Sequence, residues 1–355
     1  MRQVDRLMQQ AISENIFPGA VLLVSKEKSI CFFSAYGYAN LFSKVRMTGE
    51  THFDLASLTK PLATALAVMR LVQAGKIRLE QDLGSLLPEF KTSRKAMIQI
   101  KHLLYNNSGL PDYRPYYQTI SKLPPETRLD AMREYLLNEP LIHPIGQKVL
   151  YSDLGFMILR WVIERVTGCR LDHFLTNEVY KPLGLTDLYF IESGSNVSRA
   201  NIAATEKCPW RRRLVEGRVH DENAYSVGGI EGHAGLFGTA QNVYLLLSDL
   251  LSIYHGYKSG RLFEKEVVRA FFKRLPNMDK ALGFDAPGIH ESSSGRYFSQ
   301  NSVGHLGFTG TSFWMDLDRE IIVILLTNRV HPSRANNTIK TFRPRLHDTV
   351  MQLLV

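Results

Sequence analysis

The chain has only three cysteines in 355 residues, Cys31, Cys169 and Cys208, odd in number and far apart. That excludes a disulfide framework and fits a reducing compartment. Long apolar runs are missing too. The longest, 321–326, is much too short to span a bilayer and reads as a buried strand. The segment after Met1 is amphipathic, with Val4, Leu7, Met8, Ala11 and Ile12 on one face, and lacks the uncharged apolar stretch of a secretory leader. The expected location is therefore the cytoplasm, with no membrane partner. Concentrated positive charge is scarce as well. The net charge is +9, which favours anionic partners, but Lys and Arg are scattered and the densest cluster is Arg211-Arg212-Arg213 with Arg218 nearby. No helix-turn-helix, RNP-like or zinc-finger pattern accompanies it, so nucleic acid is not an expected partner. Internal repeats and low-complexity tracts are absent.

A hydrophobic content of 45% is that of an ordinary globule with a sizeable core, in one large domain or two intimate ones. After the amphipathic first helix, residues 20–25 and 30–37 predict a hairpin around Lys26-Glu27-Lys28. From 55 to about 188 the periodicity predicts helices over 62–74, 98–104, 127–138, 154–167 and 171–179, with Gly75, Gly109, Gly168 and Gly184 as stops. The glycine-rich stretch 192–234 is too long for a simple connector. Helices return at 239–254 and 264–272. Strands follow at 281–284, 297–306, 312–316 and 321–327, then a last helix from about 334 to 354. Strands at both ends with helices between them predict an α/β layer made of 1–54 and 190–355, with a helical subdomain over 55–189.

Ser57-Leu58-Thr59-Lys60 places a hydroxyl and an amine one helical turn apart, a spacing that suits a serine nucleophile and its base. Residues Asp54 to Ser57 read as a helix start, and Pro61 falls in the first turn, where its missing N–H costs little. Ser57 then lies at the positive end of a helix dipole. A lysine base requires burial or a cationic neighbour to lower its pKa. The bland alternative is a capping serine and a solvated lysine.

Two further strings stand apart. Tyr151-Ser152-Asp153 directly precedes the 154–167 helix, where a tyrosine can be a simple staple residue. Near the C-terminus, Gly304-His305-Leu306-Gly307-Phe308-Thr309-Gly310-Thr311 runs along a strand edge; its glycines permit close backbone approach of a ligand or mark a bulge.

In this order and at these separations the three strings resemble the serine β-lactamase and penicillin-binding-protein superfamily, for which Ser-x-x-Lys is a signature. The resemblance is closest to the class C β-lactamase, DD-peptidase and esterase branch, whose middle motif is Tyr-x-Asn and whose third is Lys-Thr-Gly or a His-x-Gly variant. Phe17-Pro18-Gly19-Ala20, Phe53-Asp54-Leu55-Ala56, Asn107-Ser108-Gly109-Leu110-Pro111, Pro182-Leu183-Gly184-Leu185 and Gly235-Leu236-Phe237-Gly238 extend it over roughly 17–350. The fold so implied is of β-lactamase/transpeptidase type: an antiparallel sheet flanked by the N- and C-terminal helices, an inserted all-helical subdomain, and a cleft between them. The resemblance also implies Ser57 as acylated nucleophile, Lys60 and Tyr151 as the proton-transfer pair, and the N–H groups of Ser57 and Phe308 as the oxyanion hole. No metal and no cofactor are implied.

Three departures bear on substrate. His305 and Leu306 stand where lactamases and peptidases usually carry lysine and threonine, ahead of Gly307. A largely neutral histidine and a leucine weaken recognition of a carboxylate, unless Arg329 supplies the charge instead of serving as a plain structural cap. Asp153 replaces the family asparagine. Beside Lys60 it would favour the ammonium and shift the burden to Tyr151, or it could simply cap the following helix. Third, the missing leader argues against a secreted lactamase or a cell-wall peptidase. His233 lies in a Gly-His-Ala-Gly string typical of a subgroup of these hydrolases, and is expected across the cleft from the third motif as a substrate contact or auxiliary acid/base, or bonded to its own loop. A metal site from His220, Asp221 and His233 is not expected, since no tight ligand spacing exists.

The expected activity is a serine hydrolase working through an acyl-enzyme on an ester or amide of a small molecule or short peptide, of β-lactamase-like, esterase or D-amino-acid peptidase type, with ester first. The rival is a penicillin-binding-like binding or scaffold protein whose turnover has lapsed. Oligomeric state stays open.

Overall fold

The computed structural model describes residues 1–195, 201–257, 262–288 and 292–355. Its centre is an eight-stranded sheet in the spatial order Val45–Arg46, Ser29–Asn40, Gly19–Lys26, Ile321–Thr327, Ser312–Asp316, Ser302–Leu306, Phe284–Asp285 and Lys280–Ala281. All of its pairings are antiparallel. The N-terminal hairpin therefore meets the C-terminal strands at the middle of the sheet, with Val21 opposite Leu326 and Leu23 opposite Ile324.

The two central strands are apolar over 20–24 and 321–326 because both faces of the sheet are covered. Alternation divides the run 321–327 between two cores. Ile321, Val323 and Leu325 pack with Val4, Met8, Phe342 and Leu346 of the terminal helices Arg2–Ser13 and Ile339–Leu354. Ile322, Ile324 and Leu326 face the larger core with Leu247 and Leu250 of the helix Ala240–His255. That second core continues without a break into the helices of the middle of the chain, including Leu66, Phe156 and Leu159.

A small sheet sets the site. Phe53–Asp54 and Leu188–Phe190 both pair with Leu236–Gly238, so the approach to Ser57 lies against the end of the glycine-rich stretch. Residues 196–200 of that stretch lie outside the described residues. Elsewhere the differences from the periodicity are local. The 281–284 strand is a tight hairpin turning at Gly283, whose φ is 84°. The 297–306 strand begins only at Ser302, and the last helix begins at Ile339, after a loop that serves the cleft.

Candidate active site

Ser57 follows directly on strain. Ala56 has a φ of 48°, a left-handed conformation that costs a residue with a Cβ about 1–3 kcal/mol and gathers at functional sites. Asp54 holds it there: Oδ1 accepts from Ala56 N at 2.9 Å and Oδ2 from His220 N at 2.6 Å. The chain turns tightly over Ala56–Leu58, widens over Lys60–Ala65, and becomes a regular helix at Leu66–Gln73. The helical register thus starts earlier than position 62, and Lys60 lies on the Ser57 side.

Lys60 is fully buried and uses its three donors. Nζ donates to Asp153 Oδ1 at 2.7 Å, to Ser57 Oγ at 3.1 Å and to the carbonyl of His233 at 3.2 Å. Ser152, not Asp153, caps the helix Asp153–Thr167, its Oγ accepting from Gly155 N at 3.3 Å. Asp153 is thereby left for the ion pair.

Burial pulls the Lys60 pKa down, but Asp153 and then Tyr151 outweigh it, so it ends above the ordinary lysine value and the group is an ammonium. Tyr151 lies beneath that ammonium, with Nζ 4.7 Å from its ring centroid. Its pKa is nevertheless raised, because burial outweighs the lowering by Lys60, and Asp153 adds to the rise. At rest the pair is an ammonium and a neutral phenol.

The third motif closes the other side. Thr309 Oγ1 donates to the Asp54 carbonyl at 2.8 Å and Thr311 Oγ1 to the Leu55 carbonyl at 3.0 Å, tying this loop to the segment before Ser57. A Cβ on Gly307 would stand 2.0 Å from Thr311 Oγ1 and 2.7 Å from the Leu55 carbonyl, so only glycine permits the approach. Arg329 donates to the carbonyls of Phe308 (Nε, 2.9 Å) and Asn336 (Nη1, 2.8 Å), and its guanidinium lies 4.7 Å from the Phe308 ring centroid. It fixes the peptide that bears the Phe308 carbonyl while still lining the cleft. His305 is buried, with Nδ1 2.9 Å from the Leu306 carbonyl and its ring 5.9 Å from Tyr151. Burial, aided by Lys60 and Lys280, pushes its pKa down to about 4, so it is neutral near pH 7.

His233 and Phe308 both line the cleft. The His233 Nε2 is 3.0 Å from Asp221 Oδ1. Burial lowers the His233 pKa, but Asp221 outweighs it and holds the imidazole above its usual range. Ligating atoms of Asp153, Asp221 and His233 lie within 4.8 Å of one another, whereas His220 pairs with Glu206 at 3.1 Å. The trio is already matched in charge by the Lys60 ammonium and the His233–Asp221 bond, so we read it as a hydrogen-bonding network.

The cleft has two lobes that share Ser57, Tyr151 and Phe308. One, of about 380 Å³, is lined by Asp153, Asp221, Glu222 and His233. The other, of about 470 Å³, is lined by Lys280, Arg329, Lys340 and Arg343. Arg343 donates to the Thr311 carbonyl at 3.0 Å, is buried, and pairs with no carboxylate among the described residues. Sequence reasoning missed Lys280, Asp285, Lys340 and Arg343. No spacing rule marks them, because strand pairing and the last helix bring them to the cleft.

The sequence profile of the β-lactamase family matches residues 4–343. A protein of Bacillus subtilis (strain 168) named N-acetylmuramyl-L-alanine amidase is 34% identical, over 93% of this chain and 81% of its own length. A protein of Salmonella typhi named for D-alanyl-D-alanine carboxypeptidase is 31% identical, over 95% of this chain and 84% of its own. The solved structure of EstCE1, described as a hydrolase with promiscuous acyltransferase activity, superposes with a TM-score of 0.75 at 23% identity, covering 98% of each chain; at that identity it speaks for the fold. The chain belongs to the β-lactamase family and is an enzyme of its serine-hydrolase type.

Proposed function

We propose that the enzyme hydrolyses an amide of a short peptide-like molecule through an acyl-enzyme on Ser57, with a substrate carboxylate seated in the lobe of Lys340 and Arg343. The single observation behind it is the buried Lys60 ammonium bonded at once to Ser57 Oγ and Asp153. An amide is favoured over the ester expected from the sequence by the names of the two relatives, an amidase and a carboxypeptidase. The unpaired buried guanidinium of Arg343 favours an anionic substrate, since a desolvated charge without a partner is costly.

In this reading the reacting form is the minor one in which the Tyr151 phenol has given its proton to solvent, and Ser57 Oγ attacks the carbonyl carbon as its own proton passes to that tyrosinate. The oxyanion lies between the N–H groups of Ser57 and Phe308, each contributing on the order of 3 kcal/mol. The C–N bond breaks as Tyr151 returns the proton to the leaving nitrogen, and water then releases the acyl group by the reverse relay. Lys60 stays charged and stabilises the tyrosinate.

Intact-protein mass spectrometry with a fluorophosphonate tests the nucleophile. One adduct, lost in Ser57→Ala, is expected; an adduct that persists in the variant would sink the assignment. On a substrate panel, D-amino-acid peptides with a free carboxylate should outrun p-nitrophenyl acetate and a chromogenic cephalosporin in kcat/KM. No turnover of any member, with a peptide still bound, would favour the lapsed scaffold.

A further inference from the structure

Two short strands at the edge of the central sheet, Lys280–Ala281 and Phe284–Asp285, form a hairpin with no evident need for charge, yet they carry an ion pair into the cleft. Lys280 and Asp285 are directly opposed in the register, so their side chains share a face, and Lys280 Nζ hydrogen-bonds Asp285 Oδ1. Asp285 is in turn opposite Gly304, next to His305. The hairpin packs on two helical segments: Gly283 N donates at 3.0 Å to the carbonyl of Leu104, which ends the helix Ile100–Leu104, and a Cβ on Gly283 would stand 2.6 Å from that of Ala65 in the segment that bears Lys60.

Lys280 is only 9% exposed. An ion pair this deep gains little over apolar side chains of the same volume and so is weak as a purely structural device. What distinguishes its location is Tyr151. Lys280 Nζ lies 5.8 Å from the Tyr151 ring centroid, and Lys60 Nζ lies 4.7 Å from it.

We propose that Lys280, held in place by Asp285, is a positioning residue that acts on Tyr151 as a second cation, in the position the neutral His305 leaves without charge. The inference rests on the assignment of Tyr151 as the group that takes the Ser57 proton. The charged and titratable groups facing Tyr151 are Lys60 and Asp153 from the two helix starts, His305 from the third motif, and Lys280 with Asp285 from the hairpin. Lys60 is already neutralised by Asp153, and His305 is uncharged. Lys280, 5.8 Å from the Tyr151 ring centroid, is thus the second cation beside Lys60 that lies over that ring among the described residues. A cation this close to the ring favours the tyrosinate, and the opposing Asp285 offsets part of that.

The test is the pH dependence of kcat/KM in Lys280→Met and Lys280→Arg, each checked for native folding by its thermal melt. In Lys280→Met the ascending limb should move up by about one pH unit, so that activity falls about tenfold at pH 7 and recovers as the pH is raised. Lys280→Arg should restore the limb. A loss of equal size at every pH, or a rise in KM confined to substrates with a carboxylate, would overturn the proposal in favour of a structural or substrate-binding role. Fluorophosphonate labelling of Ser57 in the wild-type enzyme separates the two claims: without it the acyl-enzyme reading fails, whereas labelling with an unmoved limb removes Lys280 alone.

Discussion

Lys60 Nζ is 2.7 Å from Asp153 Oδ1, closer than its 3.1 Å to Ser57 Oγ, so the carboxylate holds the ammonium more firmly than the nucleophile does. The cation is thereby fixed as a charge instead of being poised as a base. Asp153→Asn removes a negative charge that raises the pKa of both Lys60 and Tyr151. The ascending limb of the pH–rate profile should move to lower pH by one unit or more, while unfolding in urea shows a loss of about 3 kcal/mol from the broken buried pair. A limb that moves upward contradicts the charge assignment.

Arg329 spends its donors on backbone carbonyls, including that of Phe308 at 2.9 Å. Its removal should loosen Phe308, whose N–H the proposed mechanism places at the oxyanion, more than it weakens substrate capture. Arg329→Met is expected to lower kcat on the order of tenfold, a fraction of the loss of an oxyanion donor itself, by the same factor for substrates with and without a carboxylate, and to leave KM unchanged. Steady-state kinetics on such a matched pair decides. A KM rise restricted to the carboxylate substrate would return Arg329 to the anion site.

Much of this site was legible in the chain because its first parts are local. Helical spacing alone brings Lys60 to Ser57, and an unbroken apolar run at 321–326 announces a buried strand, which the structure covers on both faces. Protonation was not legible. The state of Lys60 is set by a carboxylate 93 residues away, and whether that residue caps a helix or pairs with a lysine depends on Ser152 taking the cap. Lys280 and Arg343 are ordinary basic residues in sequence. Strand order and the path of the last helix turn them toward Ser57, and neither leaves a local periodic trace.

The glycine-rich stretch is a packing device as well as a cleft wall. A Cβ on Gly232 would lie 2.0 Å from the Phe156 carbonyl, inside the helix that carries Asp153, and the Gly232 carbonyl accepts from Thr64 Oγ1 at 2.6 Å. Gly232→Ala must push two backbones apart. A destabilisation of about 3 kcal/mol is expected by urea unfolding, with weakened Ser57 labelling, because His233 next door holds Lys60 through its carbonyl. An unchanged midpoint would mean that the loop yields freely.

Two buried histidines predict how stability responds to acid. Burial, as the largest cause, pushes His305 and His347 down to about 4, against about 6.5 for an unfolded histidine. Between those values the unfolded chain binds protons that the folded chain refuses. Stability therefore falls as pH drops from about 6.5 to 4 and is restored above it, by on the order of 3 kcal/mol for each group across the full window. His347 is remote from Ser57 in its contacts, with Nδ1 2.7 Å from the Ser293 carbonyl. His347→Gln keeps a donor for that carbonyl and removes the proton site, so urea unfolding between pH 7 and 4.5 should show a shallower pH slope, with Ser57 labelling at pH 7 unaltered. A slope equal to that of the parent would mean that the His347 imidazole is protonated in the folded protein, and that the two histidines do not share the acid response.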